Sequence, residues 1–149
     1  LNSFVSSLGD KKTNITDIEP GINDITLRNN DNMTTPKAVT RDINTLAFKD
    51  NILDKKHRLI FKKMLKNNDT GTSRIKSVVP SDWIVGVKTG TCEYGSTNDV
   101  AIIWPKDKKA IILTILYTQT DKESDPSNSV IRKVARLALK NIESRWIHE

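Results

Sequence analysis

The chain has 149 residues, 36% hydrophobic and 28% charged, with six Gly and five Pro, the make-up of an ordinary globular protein of one-domain size. A chain of that length can bury roughly 68–70% of its unfolded surface, and no apolar run approaches the ~20 residues that cross a bilayer, so membrane insertion is excluded. The net charge of +6 invites nucleic acid, but Lys55-Lys56-His57-Arg58, Lys62-Lys63 and Lys108-Lys109 lie in separate segments with no aromatic residues interleaved as stacking platforms. Solvated faces explain them better, and no nucleic-acid partner is expected.

Residues 1–9 place Leu1, Phe4, Val5 and Leu8 at helical spacing with Gly9 as a stop, the pattern of a helix tail. Residues 10–35 are polar, dense in Asn, Asp and Thr, and without periodicity. A structureless stretch of that length is usually functional. Thr35-Pro36 then predicts a capped helix with Ala38, Val39, Ile43, Leu46 and Ala47 on one stripe. A second helix begins near Asp54, is expected to bury Leu59, Ile60, Met64 and Leu65, and stops at "KNNDTG". The two helices are expected to pair antiparallel.

From Trp83 the period changes. Residues 84–87, 100–104 and 111–117 read as short strands of an antiparallel meander, the last two joined by the turn "PKDKKA". The chain closes with a helix from about Pro126 to Trp146 that presents Val130, Ile131, Val134, Leu137, Ala138 and Ile142 to the sheet. The fold class is α+β. Three strands under one helix leave a face bare, and together with the cut opening helix this places further material upstream.

Residues 87–95, "VKTGTCEYG", break an apolar strand with a lysine. By itself Lys88 could be an edge-strand charge that discourages aggregation; a cation near a strand end also suits an anion. Cys92 is the single cysteine, with neither His57 nor His148 near it in sequence, so a Cys-His nucleophile and a metal site are both disfavoured and no metal or cofactor is expected. A small buried filler is the plainer reading of this thiol.

Taken in order, "EPGIN" at residues 19–23 in the polar loop, "TTP" before a helix, Lys88-Thr89-Gly90 on a strand and "TNDVAIIWP" in the next resemble the class A serine β-lactamases along the whole chain. The resemblance implies an α/β sandwich of the serine β-lactamase and transpeptidase type, with residues 10–35 as an Ω loop, 36–68 as part of the helical layer and 83–149 as the sheet and last helix. It also implies a β-lactam as the small-molecule partner and a periplasmic or secreted bacterial setting. Lys88 and Thr89 would hold the substrate carboxylate, Gly90 would admit substrate to the strand backbone, and the Thr91 N–H would be one of two oxyanion-hole donors. Glu19 matches the carboxylate that activates the deacylating water and Asn23 the amide that helps hold it; the Glu19-Pro20 bond would be cis.

The Thr91-Cys92 pair resembles the carbapenem-hydrolysing branch, in which this cysteine bridges to a cysteine ahead of the nucleophile, here outside the chain, and Arg74 falls where that branch places a guanidinium near Thr91, compensating for Thr97. Departures are equally plain. Neither the nucleophile motif S-x-x-K nor S-D-N precedes Glu19. Ser73-Arg74-Ile75-Lys76 matches the first by coincidence of position. The chain therefore reads as the C-terminal half of the family's domain, inactive without a missing N-terminal half. Asp17 and Asn32 occupy the positions of an Arg–Asp ion pair that braces the loop, so that brace cannot form as an ion pair, and Val87 stands where many relatives have Asp. A penicillin-binding transpeptidase fragment and a non-catalytic remnant of the same fold are the alternatives.

Overall fold

A computed structural model describes residues 1–18, 20–23 and 31–146, with Asn23 described by its backbone alone. The opening helix α1, Asn2–Ser7, ends where Gly9 takes a left-handed φ of 87°. Helix α2, Pro36–Phe48, starts as its sequence predicts: the Thr35 hydroxyl accepts the Ala38 N–H at 3.2 Å and proline occupies the first helical position. Helix α3, Lys55–Lys66, is capped by Asp54, which accepts the His57 N–H at 2.8 Å, and carries Lys63 and Lys66 in its last turn, where the helix dipole favours cations.

The buried face of α3 differs from the sequence expectation. Leu65 is buried, but Leu59, Ile60 and Met64 are 59%, 45% and 68% exposed. The inward stripe runs instead through Arg58, Phe61 and Leu65. A polar residue fills one inward slot because the Arg58 guanidinium donates to the carbonyls of Lys49 at 3.1 Å and Leu53 at 2.8 Å, closing the connection from α2. A hydrophobicity count has no access to that use of an arginine.

The strands are β1, Ile84–Cys92, β2, Ser96–Trp104, and β3, Ile111–Tyr117, antiparallel in the order β1-β2-β3. Both β1 and β2 run longer than their apolar cores, so Lys88-Thr89-Gly90 lies inside β1 rather than at its break. The β1–β2 turn places Tyr94 and Gly95 at φ of 58° and 57°, with the Ser96 N–H donating to Glu93 O at 3.1 Å, as in a type I′ hairpin. The last helix, α4, Asn128–Trp146, begins two residues later than expected and buries Ile131, Ala135 and Leu139. Val134 and Leu137, expected on that face, are exposed, because the i, i+4, i+8 row through Ala135 seats the helix closer to the sheet than a row of larger side chains could.

The sheet is covered on both faces. On one, Val87, Ala101, Ile103 and Ile115 pack with Ile75 and the α4 row; on the other, Ile102 packs with Ala47 of α2 and Leu65 of α3, flanked by Phe61 and Trp104. The expectation of a bare face is therefore corrected: the α2–α3 pair that the sequence set apart as its own layer forms the second cover. Its seating depends on Gly86 in β1, where a Cβ would stand 3.0 Å from the carbonyl carbon of Leu65 and from the Lys66 nitrogen. Gly86→Ala is expected to push α3 off the strand and lower unfolding stability by ~1–3 kcal/mol in urea titration; an unchanged midpoint would show that α3 is not seated there.

Candidate active site

The lysine-bearing segment sits on the free edge of β1, and its neighbours are set by cross-strand register: Thr91 faces Thr97, Gly90 faces Asn98, Thr89 faces Asp99 and Lys88 faces Val100. Against this edge lies the turn after α3. Gly71 allows the close approach, since a Cβ there would fall 2.6 Å from Val87 Cγ2. That contact delivers Arg74 to the strand.

Arg74 is 7% exposed and spends its fork on four acceptors. Nε donates to Asn128 Oδ1 at 2.8 Å, one terminal nitrogen to Gly90 O at 2.9 Å and Asn98 O at 2.7 Å, and the other to Thr91 Oγ1 at 2.6 Å. All four are neutral, so a full positive charge stands beside the strand edge without an ion pair among the described residues. Because Thr91 Oγ1 accepts from the guanidinium, its own hydrogen is left to donate. Thr89 is different: it shares a 2.8 Å bond with Thr70 Oγ1, and the Thr70 hydrogen is committed to Asn68 Oδ1 at 2.7 Å, so Thr89 gives its hydrogen to Thr70.

Lys88 is exposed, with Nζ donating to Thr89 O. Strand alternation puts it and Gly90 on the α3 face of β1, opposite Thr89 and Thr91. Arg74, Gly90 and Thr91 are thus brought into direct contact, while Lys88 stands on the other side of the same edge. Ser73 of the chance S-x-x-K match is exposed, its carbonyl held by Arg132 at 3.0 Å. The half-buried Cys92 thiol is pushed up in pKa by burial, opposed by a hydrogen bond with Ser96. Thr97, fully buried, accepts the Ser127 N–H at 2.8 Å and so ties β2 to the start of α4.

Glu19 lies outside the described residues, as do the Asn23 side chain and the Glu19-Pro20 bond. The neck of their loop is described. Asn14 and Met33 form an antiparallel bridge, and the Thr13 and Thr34 hydroxyls meet at 2.7 Å. Asn32, at a left-handed φ of 51° that asparagine tolerates, accepts the backbone N–H groups of Thr16 at 3.0 Å and Asp17 at 3.2 Å, and its amide nitrogen donates to Asp17 Oδ2 at 2.8 Å. A hydrogen-bonded brace of amide to carboxylate therefore joins the two positions where an ion pair was ruled out.

Asp99 was missed as a partner of this region, though an acid inside an apolar strand was a signal. It is fully buried, and Oδ2 accepts the Ile75 N–H at 2.9 Å. Burial pushes its pKa up to about 6, against the Ile75 hydrogen bond and the charge of Arg74. Asn68, Thr70 and Asn128 were also missed, since nothing in their local sequence distinguishes them from turn and cap residues.

Residues 1–142 match the Beta-lactamase enzyme family. The chain belongs to that family. It is 35% identical over 144 residues to an imipenem-hydrolyzing β-lactamase of Enterobacter cloacae and 36% identical over 143 residues to the carbapenem-hydrolyzing β-lactamase KPC of Klebsiella oxytoca. These alignments take in 96% and 95% of this chain but 49% and 48% of the relatives, so the chain spans about half their length. Among solved structures, a β-lactamase of Francisella tularensis superposes with a TM-score of 0.93 at 50% identity, covering 97% of this chain and 55% of that one. A class A β-lactamase of Clostridium kluyveri gives 0.91 at 32% identity, covering 95% and 54%. The α+β fold is thus that of the class A β-lactamases.

Two predictions follow from this geometry. Asn32→Gly keeps the left-handed backbone but removes the brace, and amide exchange at Thr16 and Asp17 is expected to speed up roughly tenfold, the equivalent of about one hydrogen bond; unchanged exchange would show that the brace does not hold the neck. For Asp99, the folded chain keeps a proton that the unfolded chain releases, so its contribution to stability is present below about pH 4 and is lost as pH rises through about 6. Asp99→Asn removes that loss and is expected to raise unfolding stability near pH 8 by up to ~3 kcal/mol, about two pKa units, while a variant no more stable than the parent at that pH would contradict the cost assigned to the buried charge.

Proposed function

We propose that this chain supplies the anion-holding and water-handling wall of a serine β-lactamase, and that the attacking serine belongs to a segment outside it. The observation that carries the reading is the contact of a neutral-bonded, charged Arg74 with Gly90 and Thr91 on the edge strand of a β-lactamase-family chain. β-Lactams carry a carboxylate beside a strained amide. Arg74 and Lys88 provide the positive field for that carboxylate, and Thr91 provides a hydroxyl whose hydrogen is free to give. Thr89 contributes after turning its hydrogen away from Thr70. Gly90 admits the substrate to the strand, and the Thr91 N–H serves as an oxyanion donor for the tetrahedral intermediate.

In this reading the covalent acyl-enzyme is cleared by a water that Glu19 deprotonates and Asn23 orients, with residues 10–35 acting as the Ω loop beneath the site. The Asn32–Asp17 brace keeps that loop in place, with an amide donor where the resemblance implies a guanidinium. Cys92 pairs with a cysteine of the missing segment, in a periplasmic or extracellular setting where disulfides persist. Residues 1–149 are the C-terminal half of one catalytic domain.

The test is hydrolysis of the chromogenic cephalosporin nitrocefin. The chain alone is expected to be inactive, and the chain assembled with an N-terminal segment carrying S-x-x-K and S-D-N is expected to turn it over. Hydrolysis by the chain alone, or none by the assembly, overturns the proposal. In the active assembly, Thr91→Val is expected to raise KM by roughly tenfold, the loss of one hydrogen bond to a charged group, and more than Thr89→Val; the reverse order would contradict the hydroxyl assignment.

A further inference from the structure

Nothing in an anion-holding wall calls for an acid, yet β2 carries one directly across from Thr89. Among the described residues Asp99 is the acidic side chain with no exposed surface. One oxygen, Oδ2, accepts the Ile75 N–H at 2.9 Å; the other, Oδ1, is buried with no hydrogen-bond partner. A buried carboxylate with an unsatisfied oxygen is costly, and such groups in native structures call for an explanation beyond packing.

Two features join it to the wall. Its hydrogen bond fixes the peptide immediately after Arg74, so the acid and the guanidinium are linked through one peptide unit. Charge links them as well: the cations acting on Asp99 are Arg74, from the turn packed on the strand edge, and Lys88, from β1. Of the other elements around it, α4 brings the Arg132 guanidinium to the Ser73 carbonyl, two residues before Ile75. The partners of Asp99 across the strands are Thr89 on β1 and Ile115 on β3, and α4 contributes Ile131, Ala135 and Leu139 to that face. No ion pair joins Asp99 to either cation among the described residues, so it acts on them through space.

We propose that Asp99 is a positioning residue of the anion site: it fixes the peptide that carries Arg74, and its ionisation sets how strongly Arg74 and Lys88 hold a carboxylate. The inference rests on the reading of that wall as the substrate-carboxylate site. When ionised, Asp99 offsets part of the field of two cations; when protonated, it leaves the whole field to the ligand. Carboxylate affinity is therefore greater on the acid side of about 6, where burial places the titration of Asp99, and by reciprocity a bound carboxylate favours the protonated acid.

The experiment is a fluorine NMR titration of the full chain with trifluoroacetate, a carboxylate that stays ionised throughout, at about pH 5 and about pH 8, with the Arg74 Nε–H resonance as a second signal. The parent chain is expected to bind roughly fivefold or more tightly at the lower pH. Asp99→Asn keeps an oxygen for the Ile75 N–H but has no charge, and is expected to bind at both pH values as the parent does in acid. Asp99→Ala removes the acceptor too and is expected to shift the Arg74 Nε–H resonance; an unmoved resonance contradicts the positioning role. Parent affinity that is flat with pH, a measurement needing no substitution, or the same pH dependence in the parent and Asp99→Asn, overturns the charge role while leaving the wall intact. Binding that survives Arg74→Ala unchanged overturns the reading of the wall instead.

Discussion

The site depends on one guanidinium held without an anion. Arg74 is nearly buried, and a buried charge is tolerated only where its donors are satisfied. Two strand carbonyls, an asparagine and a threonine hydroxyl satisfy four of its five donors and none neutralises it. The contacts also tie together three pieces of chain distant in sequence: the turn after α3, the hairpin β1–β2 and the first residue of α4. Removing the guanidinium would leave all four acceptors without their common partner.

The same economy recurs at the loop neck. Asn32 and Asp17 make with neutral donors a junction that an ion pair could also make, and the geometry needs asparagine twice over, for its left-handed backbone and for an amide that both accepts and donates. A bond from an uncharged amide to a carboxylate is less sensitive to salt than an ion pair. Two cations stand at the strand edge, Arg74 and Lys88, and the charge of both acts on the buried Asp99.

Much of this was legible in the sequence. The capped helix start at Thr35, the second start near Asp54 and the three strands with their meander follow from turn chemistry and periodicity, while the approach of Arg74 to Thr91 was implied by the resemblance to the class A enzymes. What failed were questions of face. The stripe on α3 was displaced because Arg58 turns inward to close a loop, and that on α4 because a small residue, Ala135, sets the depth of packing. Whether a helix pair forms its own layer or covers a sheet is a tertiary fact, decided here by Gly86, whose missing side chain admits α3. Asp99 escaped notice for a similar reason: the meaning of an acid in a strand depends on the peptide packed over it, 24 residues earlier in the chain.

The account stands or falls on where a β-lactam carboxylate lies. A crystal structure of the chain with a penicillin-derived carboxylate is predicted to place that group within hydrogen-bonding distance of Thr91 Oγ1, beside Arg74 at the β1 edge. A carboxylate bound elsewhere, with the Thr91 hydroxyl and the Arg74 fork left without any contact to it, would contradict the central claim.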